Sequence, residues 1–231
     1  MKKNIKFLLL AVGLCLVLQL TASAISYKGL KYLETMYDFG QIGIEFKVFH
    51  DFKVYNDSEQ PVRIDSLEVP CECSFVNLTD SVVNPNDTMS IRLTFETTHY
   101  YGPTRKSITI HASDGHSTTL QYLSDIGRWP QGLKPDPNFL FFIPGQKSKT
   151  IKIKNDAFDK YRIVRTEPLD TLYSIDISDR DIKKGEEALF TITPREDIQA
   201  GTYLSSFRIT VELPDKKNTV FLTIPVKIVR Y

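Results

Sequence analysis

Alternation of apolar and polar side chains at every second residue is the feature that most constrains this chain. Residues 45–54 show it clearly, because Val48, Phe52 and Val54 alternate with Lys47 and Lys53. A period of two places the apolar side chains on one face of an extended strand. Similar runs follow at residues 62–64, 89–95, 108–110 and 120–122, and no amphipathic helical pattern interrupts them. Short strands at this spacing indicate an all-β sandwich or barrel.

The strand pattern occurs twice, at an offset of 99 residues. Asn56 corresponds to Asn155, and Gly102 corresponds to Gly201. The apolar positions that keep their parity at this offset are Phe52/Ile151, Ile64/Ile163, Ile91/Phe190, Leu93/Ile192, Ile108/Phe207 and Ile110/Ile209. Alternation alone would not match Asn to Asn and Gly to Gly. The sequence therefore predicts a duplication, with immunoglobulin-like β-sandwich domains at residues 37–127 and 138–231 and a linker at 128–137.

The first 24 residues have the composition of a signal peptide. Residues 1–6 are basic, residues 7–20 are uncharged and apolar, and Ala22 and Ala24 supply the small side chains that signal peptidase accepts. The apolar run is shorter than the roughly 20 residues that span a bilayer. We expect cleavage after Ala24, a lead-in at residues 25–36 and a periplasmic or extracellular protein. Retention of the segment as an N-terminal anchor is the alternative.

The composition of the mature chain restricts its partners. Beyond residue 24, 26 basic residues face 28 acidic ones, and 42% of the whole chain is hydrophobic. This is a globular composition without the basic field that gathers phosphates. We expect no nucleic-acid partner and no membrane span in the mature chain. Another envelope protein is the expected partner, and the composition leaves the oligomeric state open.

A series of short motifs in the first unit carries a family resemblance. They are Tyr37-Asp38-Phe39-Gly40-Gln41-Ile42, the run from Val48 to Asn56, Pro61-Val62-Arg63-Ile64, Val69-Pro70-Cys71-Glu72-Cys73-Ser74 and a turn centred on Pro85. In this order, over about residues 37–127, they resemble the bacterial domain-of-unknown-function family 1573. The resemblance implies an immunoglobulin-type fold similar to Hydin-like and major-sperm-protein-like domains, and it implies no activity. Pro70, Glu72 and Asn86 depart from the family pattern, where Ser, Gly and Gly stand.

The two cysteines of the first unit, Cys71 and Cys73, are the strongest candidates for chemistry. In a regular strand, residues two apart have Cα atoms roughly 6.6 Å apart, so a disulfide requires the backbone to bend. With Glu72 rather than Gly between them, such a bridge is expected to be strained. Three interpretations stay open: a structural bridge or a pair of half-buried thiols, a redox-active pair, and a thiolate site for copper or zinc. Two thiolates do not complete a tetrahedral zinc site.

Histidine and aromatic residues supply the other site candidates. His50 is a weak third metal ligand, but it lies on the apolar parity of its strand and is expected to be a core residue. The loop residues His99, Tyr100 and Tyr101 are candidates for a binding loop, since loops at a sandwich end often carry recognition. Trp129, the only tryptophan, is expected to pack between the domains or to anchor a partner.

No catalytic motif accompanies these candidates. The sequence has no nucleophile elbow, no zinc-protease helix motif and no glycine loop for phosphates, and it requires no cofactor. We therefore expect an exported, non-enzymatic binding or structural module of the cell envelope. Its partner would bind at an open sheet edge or at the end loops. A periplasmic thiol or metal protein using Cys71 and Cys73 is the alternative, and a carbohydrate-binding module using Tyr100, Tyr101 and Trp129 is a weaker one.

Overall fold

A computed structural model describes residues 28–231 except residues 70, 131, 158 and 215–217. Two features named above lie outside the described residues. They are the predicted signal peptide with Ala22 and Ala24, and Pro70, which replaces the family serine. Those that are described form strands and connecting turns, without helix, so the predicted all-β class is confirmed. Within this part of the chain, no helix is long and apolar enough to cross a membrane.

The described residues form eighteen strands. In chain order they are β1 (Leu30–Tyr32), β2 (Met36–Ile42), β3 (Lys47–Asn56), β4 (Val62–Glu68), β5 (Ser74–Leu78), β6 (Val82–Val83), β7 (Thr88–Glu96), β8 (Gly102–Ala112), β9 (Ser117–Ile126), β10 (Pro135–Asp136), β11 (Leu140–Phe142), β12 (Lys149–Lys154), β13 (Lys160–Pro168), β14 (Tyr173–Ile177), β15 (Asp181–Lys183), β16 (Glu187–Pro194), β17 (Gly201–Glu212) and β18 (Thr219–Arg230).

Three sheets contain these strands. Two sheets have four strands each, in the orders β1-β3-β7-β5 and β10-β12-β16-β14. The third runs β15-β13-β17-β18-β2-β9-β8-β4-β6, with β11 added beside β18. Each four-stranded sheet covers one half of the long sheet, so the apolar faces meet in two separate layers.

Two clusters of buried side chains fill these layers. The first core runs from Leu30 to Ile126, and the second core runs from Leu133 to Ile228. The predicted alternation is observed on β3, where Val48, Phe52 and Val54 are fully buried and the neighbouring Lys47 and Lys53 are exposed. The cores also extend past the predicted domain bounds. Leu30 of the predicted lead-in belongs to the first core, and Leu133 of the predicted linker belongs to the second.

The 99-residue offset relates the strand registers of the two halves. Phe52 pairs with Ile91 between β3 and β7, and Ile151 pairs with Phe190 between β12 and β16. The register shifts directly after Ile64 in the pairing of β4 with β8, and directly after Ile163 in that of β13 with β17. The halves therefore share strand order, register and the position of an irregularity.

A buried asparagine closes the same turn in each half. The Asn56 side chain donates to the carbonyl of Val83 at 2.8 Å, and Asn155 donates to the carbonyl of Ile182 at 3.0 Å. The backbone carbonyl of each asparagine also accepts the N–H of a turn residue with positive φ. This residue is Asn86 (62°) in the first half and Gly185 (83°) in the second. Asparagine tolerates this left-handed conformation better than most residues. The departure of Asn86 from the family glycine therefore preserves the turn.

Strand β2 joins the two halves at the Asp38-Phe39-Gly40 motif. It pairs in parallel with β9, and Gln41 pairs with Leu222 of β18. A bulge between Asp38 and Gln41 interrupts the pairing with β9. There the Asp38 carboxylate accepts the Gly40 N–H at 2.7 Å, and the Phe39 carbonyl accepts the Thr223 hydroxyl at 2.5 Å. The family motif thus forms the seam at which the second half attaches to the first.

Candidate functional site

A disulfide joins Cys71 and Cys73 in a turn directly before β5. Their Cα atoms lie 5.2 Å apart, closer than in a regular strand. The Ser74 N–H donates to the Cys71 carbonyl at 3.3 Å, and the Glu96 N–H donates to the Cys73 carbonyl at 2.8 Å. The sequence placed the pair in a strand that would have to bend. The structure places it in a turn, which brings the two residues together without Gly at position 72.

The second half closes the corresponding turn without cysteine. Asp170-Thr171-Leu172 occupies the equivalent positions, and the Asp170 carboxylate accepts the Leu172 N–H at 3.1 Å. This hydrogen bond across two residues is the turn chemistry that Asp commonly provides. A turn at this point therefore does not need a disulfide in this fold, and the bridge is a property of the first half alone.

The loop between β7 and β8 contains the predicted binding residues and is fixed from below by Thr97. Thr97 is fully buried, and its hydroxyl accepts the Phe46 N–H and donates to the Gly43 carbonyl, both at 3.0 Å. The Tyr100 N–H donates to the Thr97 carbonyl at 3.2 Å. His99, at the tip, has a φ of 70°. The bonds of the Thr97 hydroxyl tie the start of the loop to the chain between β2 and β3.

One cavity brings the disulfide turn and this loop together. It has a volume of about 540 Å³, and its lining consists of Glu72, Cys73, Glu96, Thr98, His99 and Tyr100. The cysteine pair and the aromatic loop, predicted separately, thus meet at one end of the first core. We call this region the disulfide end and define it as residues 71–73, residues 97–101 and Ile44.

Tyr101 is the most exposed aromatic side chain of the disulfide end. Its side chain is 76% exposed, and Ile44 beside it is also exposed. A Cβ built on Gly127 would lie 2.9 Å from both the Tyr101 ring and the Ile44 side chain, so these two residues lie over the glycine. The result is a small apolar surface backed by main chain.

The other two aromatic side chains predicted to contact a partner, Tyr100 and Trp129, pack against the cores and are not exposed like Tyr101. Tyr100 is partly buried against the first core, its ring centroid lies 6.0 Å from that of Phe95, and Lys106 lies over its face. Trp129 is partly buried against the second core. The three rings therefore do not share one exposed surface, as a sugar-binding platform would require.

His50 lies away from the disulfide end, in a cleft between the two halves. Its ring stacks on Tyr37 at 3.5 Å, and its Nε2 lies 2.7 Å from a Glu34 carboxylate oxygen. The cleft has a volume of about 410 Å³ and is lined by residues of both halves. The strand parity predicted a core residue, but His50 is half-buried beside aromatic rings in this cleft and belongs to neither core, and it lines a different cavity from Cys73.

A column of stacked groups continues from His50 across the seam. Tyr37 stacks on His50, the Arg208 guanidinium lies 4.4 Å from the Tyr37 ring centroid, and the same guanidinium lies 4.6 Å from that of Phe221. Arg208 also donates to Glu167 at 2.8 Å and to the Asp38 carbonyl at 2.9 Å. Sequence reasoning missed this column. The single signal available was Tyr37 inside the family motif, and nothing local marked Arg208.

The position of His50 predicts a pH dependence of stability. Burial lowers the pKa of His50 from its ordinary 6.5, although Glu34 acts in the opposite direction; Arg208 lowers it further and Asp51 raises it. The unfolded chain therefore binds a proton in a range where the folded chain does not, so the free energy of unfolding falls as pH drops below 6.5. We expect this loss between pH 7.5 and 5 in urea unfolding, and a smaller loss in His50→Gln. Equal slopes in the two proteins would contradict it.

The described residues contain no candidate metal centre. Among residues 28–231, apart from the six positions not described, no group of three or more His, Cys, Asp or Glu side chains could hold an ion. The sulfurs of Cys71 and Cys73 are bonded to each other, so the oxidised pair offers no thiolate ligand.

The chain is an all-β protein with sandwich layers. The motifs described for its first half are a sequence signature that can be compared with known families. Residues 30–124 match the family described as Protein of unknown function (DUF1573). This match confirms the resemblance predicted from the motifs of the first unit. None of the curated proteins matches the chain.

Solved structures show distant likeness to the whole chain. A protein of unknown function from Porphyromonas gingivalis W83 is 14% identical with a TM-score of 0.38, over 87% of this chain and 99% of that one. The CupB2 chaperone of Pseudomonas aeruginosa is 11% identical with a TM-score of 0.31, over 84% and 99%. Tandem immunoglobulin domains of titin are 10% identical with a TM-score of 0.29, over 90% and 100%. At these values the likenesses say nothing about function.

Proposed function

We propose that this protein is an exported, non-enzymatic binding module of the bacterial cell envelope, built from two duplicated sandwich domains. Its binding surface is the disulfide end, and its partner is another protein. The observation that carries the proposal is the exposure of Tyr101 beside Ile44 on a loop fixed by the buried Thr97. Export is supported by the basic, apolar and small-residue sequence of residues 1–24.

The strand lengths favour the loops over the sheet edges. The strands at the ends of the described sheets are β1, β5, β6, β10, β14 and β15. None is longer than five residues. Very short edge strands are a common protection against unwanted pairing, and they offer a partner strand few backbone groups. Of the two modes expected from the sequence, recognition by end loops is therefore better supported.

The fixed loop suits recognition for an energetic reason. Ordering a flexible loop on binding costs free energy, and a loop that is already ordered avoids that cost. The Thr97 hydroxyl holds the base of this loop through hydrogen bonds to the main chain of Gly43 and Phe46. Tyrosine contributes a large apolar area with few rotatable bonds, which is why it is enriched at interfaces. Tyr101 is therefore the expected anchor.

Site-specific photocrosslinking tests this proposal. A photoreactive phenylalanine replaces Tyr101 in the full chain, which is expressed in a bacterium that carries it naturally, and the envelope fraction is irradiated. We expect one discrete crosslinked protein, attached to a chain shortened by about 24 residues. The matched control is the same replacement at Leu33, which is 73% exposed and lies outside the disulfide end.

Comparison of the two positions distinguishes crosslinking at a specific binding site from crosslinking at any exposed side chain. A discrete adduct at Tyr101 and none at Leu33 supports the proposal. Equal adducts at both positions, no adduct at Tyr101, or recovery of the unprocessed chain in the cytoplasm would overturn it. The Thr97→Val variant adds a check, because it keeps the shape of the side chain but loses both loop bonds, and it should reduce the yield.

A further inference from the structure

The hydroxyl of Ser74 lies within reach of both disulfide sulfurs. Its oxygen is 3.4 Å from the sulfur of Cys71 and 3.6 Å from that of Cys73. Ser74 is buried, and its hydroxyl also hydrogen-bonds to the buried hydroxyl of Tyr122. If Tyr122 donates to Ser74, the Ser74 proton is free to point at sulfur. Burial raises the pKa of Tyr122, so that its proton stays in place at neutral pH.

Access to the bridge comes from the other side. Cys73 lines the cavity of about 540 Å³ at the disulfide end, whereas Cys71 is not among its lining residues. Both cysteines are half-buried, Cys73 borders the cavity, and the Ser74 hydroxyl lies within 3.6 Å of both sulfurs. Attack on Cys73 from the cavity makes Cys71 the sulfur that leaves, and the Ser74 hydroxyl is 3.4 Å from it.

We propose that the Cys71–Cys73 disulfide undergoes stoichiometric thiol–disulfide exchange with a dithiol, without turnover. This goes beyond partner binding and does not depend on it. The structural reading, in which the bridge only closes a turn, is weakened by the second half, where Asp170 closes the equivalent turn without a disulfide.

The exchange proceeds in two balanced steps. A thiolate of the substrate attacks the sulfur of Cys73, the Cys71–Cys73 bond breaks, and a mixed disulfide forms while Cys71 leaves as a thiolate. The Ser74 hydroxyl donates to that thiolate and stabilises it. The second thiolate of the substrate then displaces Cys73. The substrate becomes a disulfide, both cysteines end as thiols, and two electrons and two protons pass to this protein.

Reduction by dithiothreitol tests the inference on the purified folded chain. Alkylation of thiols at timed intervals, followed by peptide mass spectrometry, gives the rates at Cys71 and Cys73 separately. We expect reduction without unfolding, and full reoxidation when the reductant is replaced by oxidised glutathione, which accepts the two electrons. Loss of a hydrogen bond to a charged group should slow reduction of Ser74→Ala about tenfold, and Ser74→Thr, which keeps the hydroxyl, should stay near the wild-type rate.

A second readout separates chemistry from structure. In the reduced chain, the rate of Cys71 alkylation rises with pH as the thiolate forms, and this rise should move to higher pH in Ser74→Ala and in Tyr122→Phe. A loosened turn without a hydroxyl effect would expose Cys71 at all pH values and leave the profile in place. An unchanged profile, an equal reduction rate in Ser74→Ala, or a bridge reduced only after unfolding would overturn the proposal.

Discussion

Gly40→Ala is expected to lower the free energy of unfolding by about 3–4 kcal/mol. Gly40 has a φ of 68°, and left-handed backbone costs a residue with a Cβ about 1–2 kcal/mol. The added Cβ would also overlap the carbonyl oxygen and side chain of Phe221 on β18, and overpacking of this kind adds about 1–3 kcal/mol. Urea unfolding at pH 7.5 measures the change.

Gly115→Ala is the matched control for this change. Gly115 also has a positive φ, 84°, but a Cβ there would meet nothing within 4 Å. Its expected cost is therefore only the backbone contribution of about 1–2 kcal/mol. The difference between the two variants measures the contact between the halves at the seam. Equal costs would show that β18 does not constrain Gly40.

The faces of the strands could be predicted from the sequence, because burial follows parity on each strand. Val48, Phe52 and Val54 were assigned to the core by alternation alone, and all three are fully buried. Pairing between β3 and β7 was not assigned residue by residue, but the shared offset implied the same register in both halves. Local pattern is sufficient where one face of a strand meets a core.

The seam could not be predicted, because its contacts join residues far apart in the chain. Gly40 was recognised as part of a motif, but the reason for glycine is the backbone of Phe221. Arg208 alternates with buried Phe207 and Ile209 like any solvent-facing residue, and its partners lie on β2 and β13. Alternation identifies which face a residue occupies and not what covers that face.

The disulfide end was predicted in parts. Cys71, Cys73, His99, Tyr100 and Tyr101 were named as candidates, and the structure places the turn and the loop around one cavity. Their proximity depends on the pairing of β5 with β7, which aligns the end of the turn with the start of the loop. The sequence placed the cysteine pair in a strand, whereas the structure places it in a turn. Alternation could not show that residues 71–73 lie outside the strand.

Arg208→Met is expected to destabilise the protein by about 3 kcal/mol, the second large effect at the seam. Arg208 and Glu167 are 16% and 23% exposed, and their closest atoms are 2.8 Å apart. Removing one partner of a buried ion pair costs about 3–5 kcal/mol where the other charge is left without compensation. Here Glu167 would keep Arg165, whose side chain is 69% exposed and lies 3.2 Å away. Partial exposure places this pair at the lower end, although Met keeps some packing between Tyr37 and Phe221.

The double variant Arg208→Met/Glu167→Gln tests that cause. Removing the Glu167 carboxylate, which then has only the exposed Arg165 as an ionic partner, should restore about 1 kcal/mol of the lost free energy, whereas a pure packing defect would not respond to Glu167→Gln. Arg195→Met is the matched surface control. Arg195 makes a similar two-point contact with Asp197, but both side chains are more than half exposed. Its urea midpoint should stay at the wild-type value, because exposed ion pairs contribute little. Equal losses of unfolding free energy in Arg195→Met and Arg208→Met would show that the Arg208 contacts at the seam stabilise the protein no more than an exposed ion pair does. Destabilisation confined to Arg208→Met would show that the buried Arg208–Glu167 pair of the second half, which also reaches the Asp38 carbonyl and the Tyr37 ring of the first, stabilises the fold.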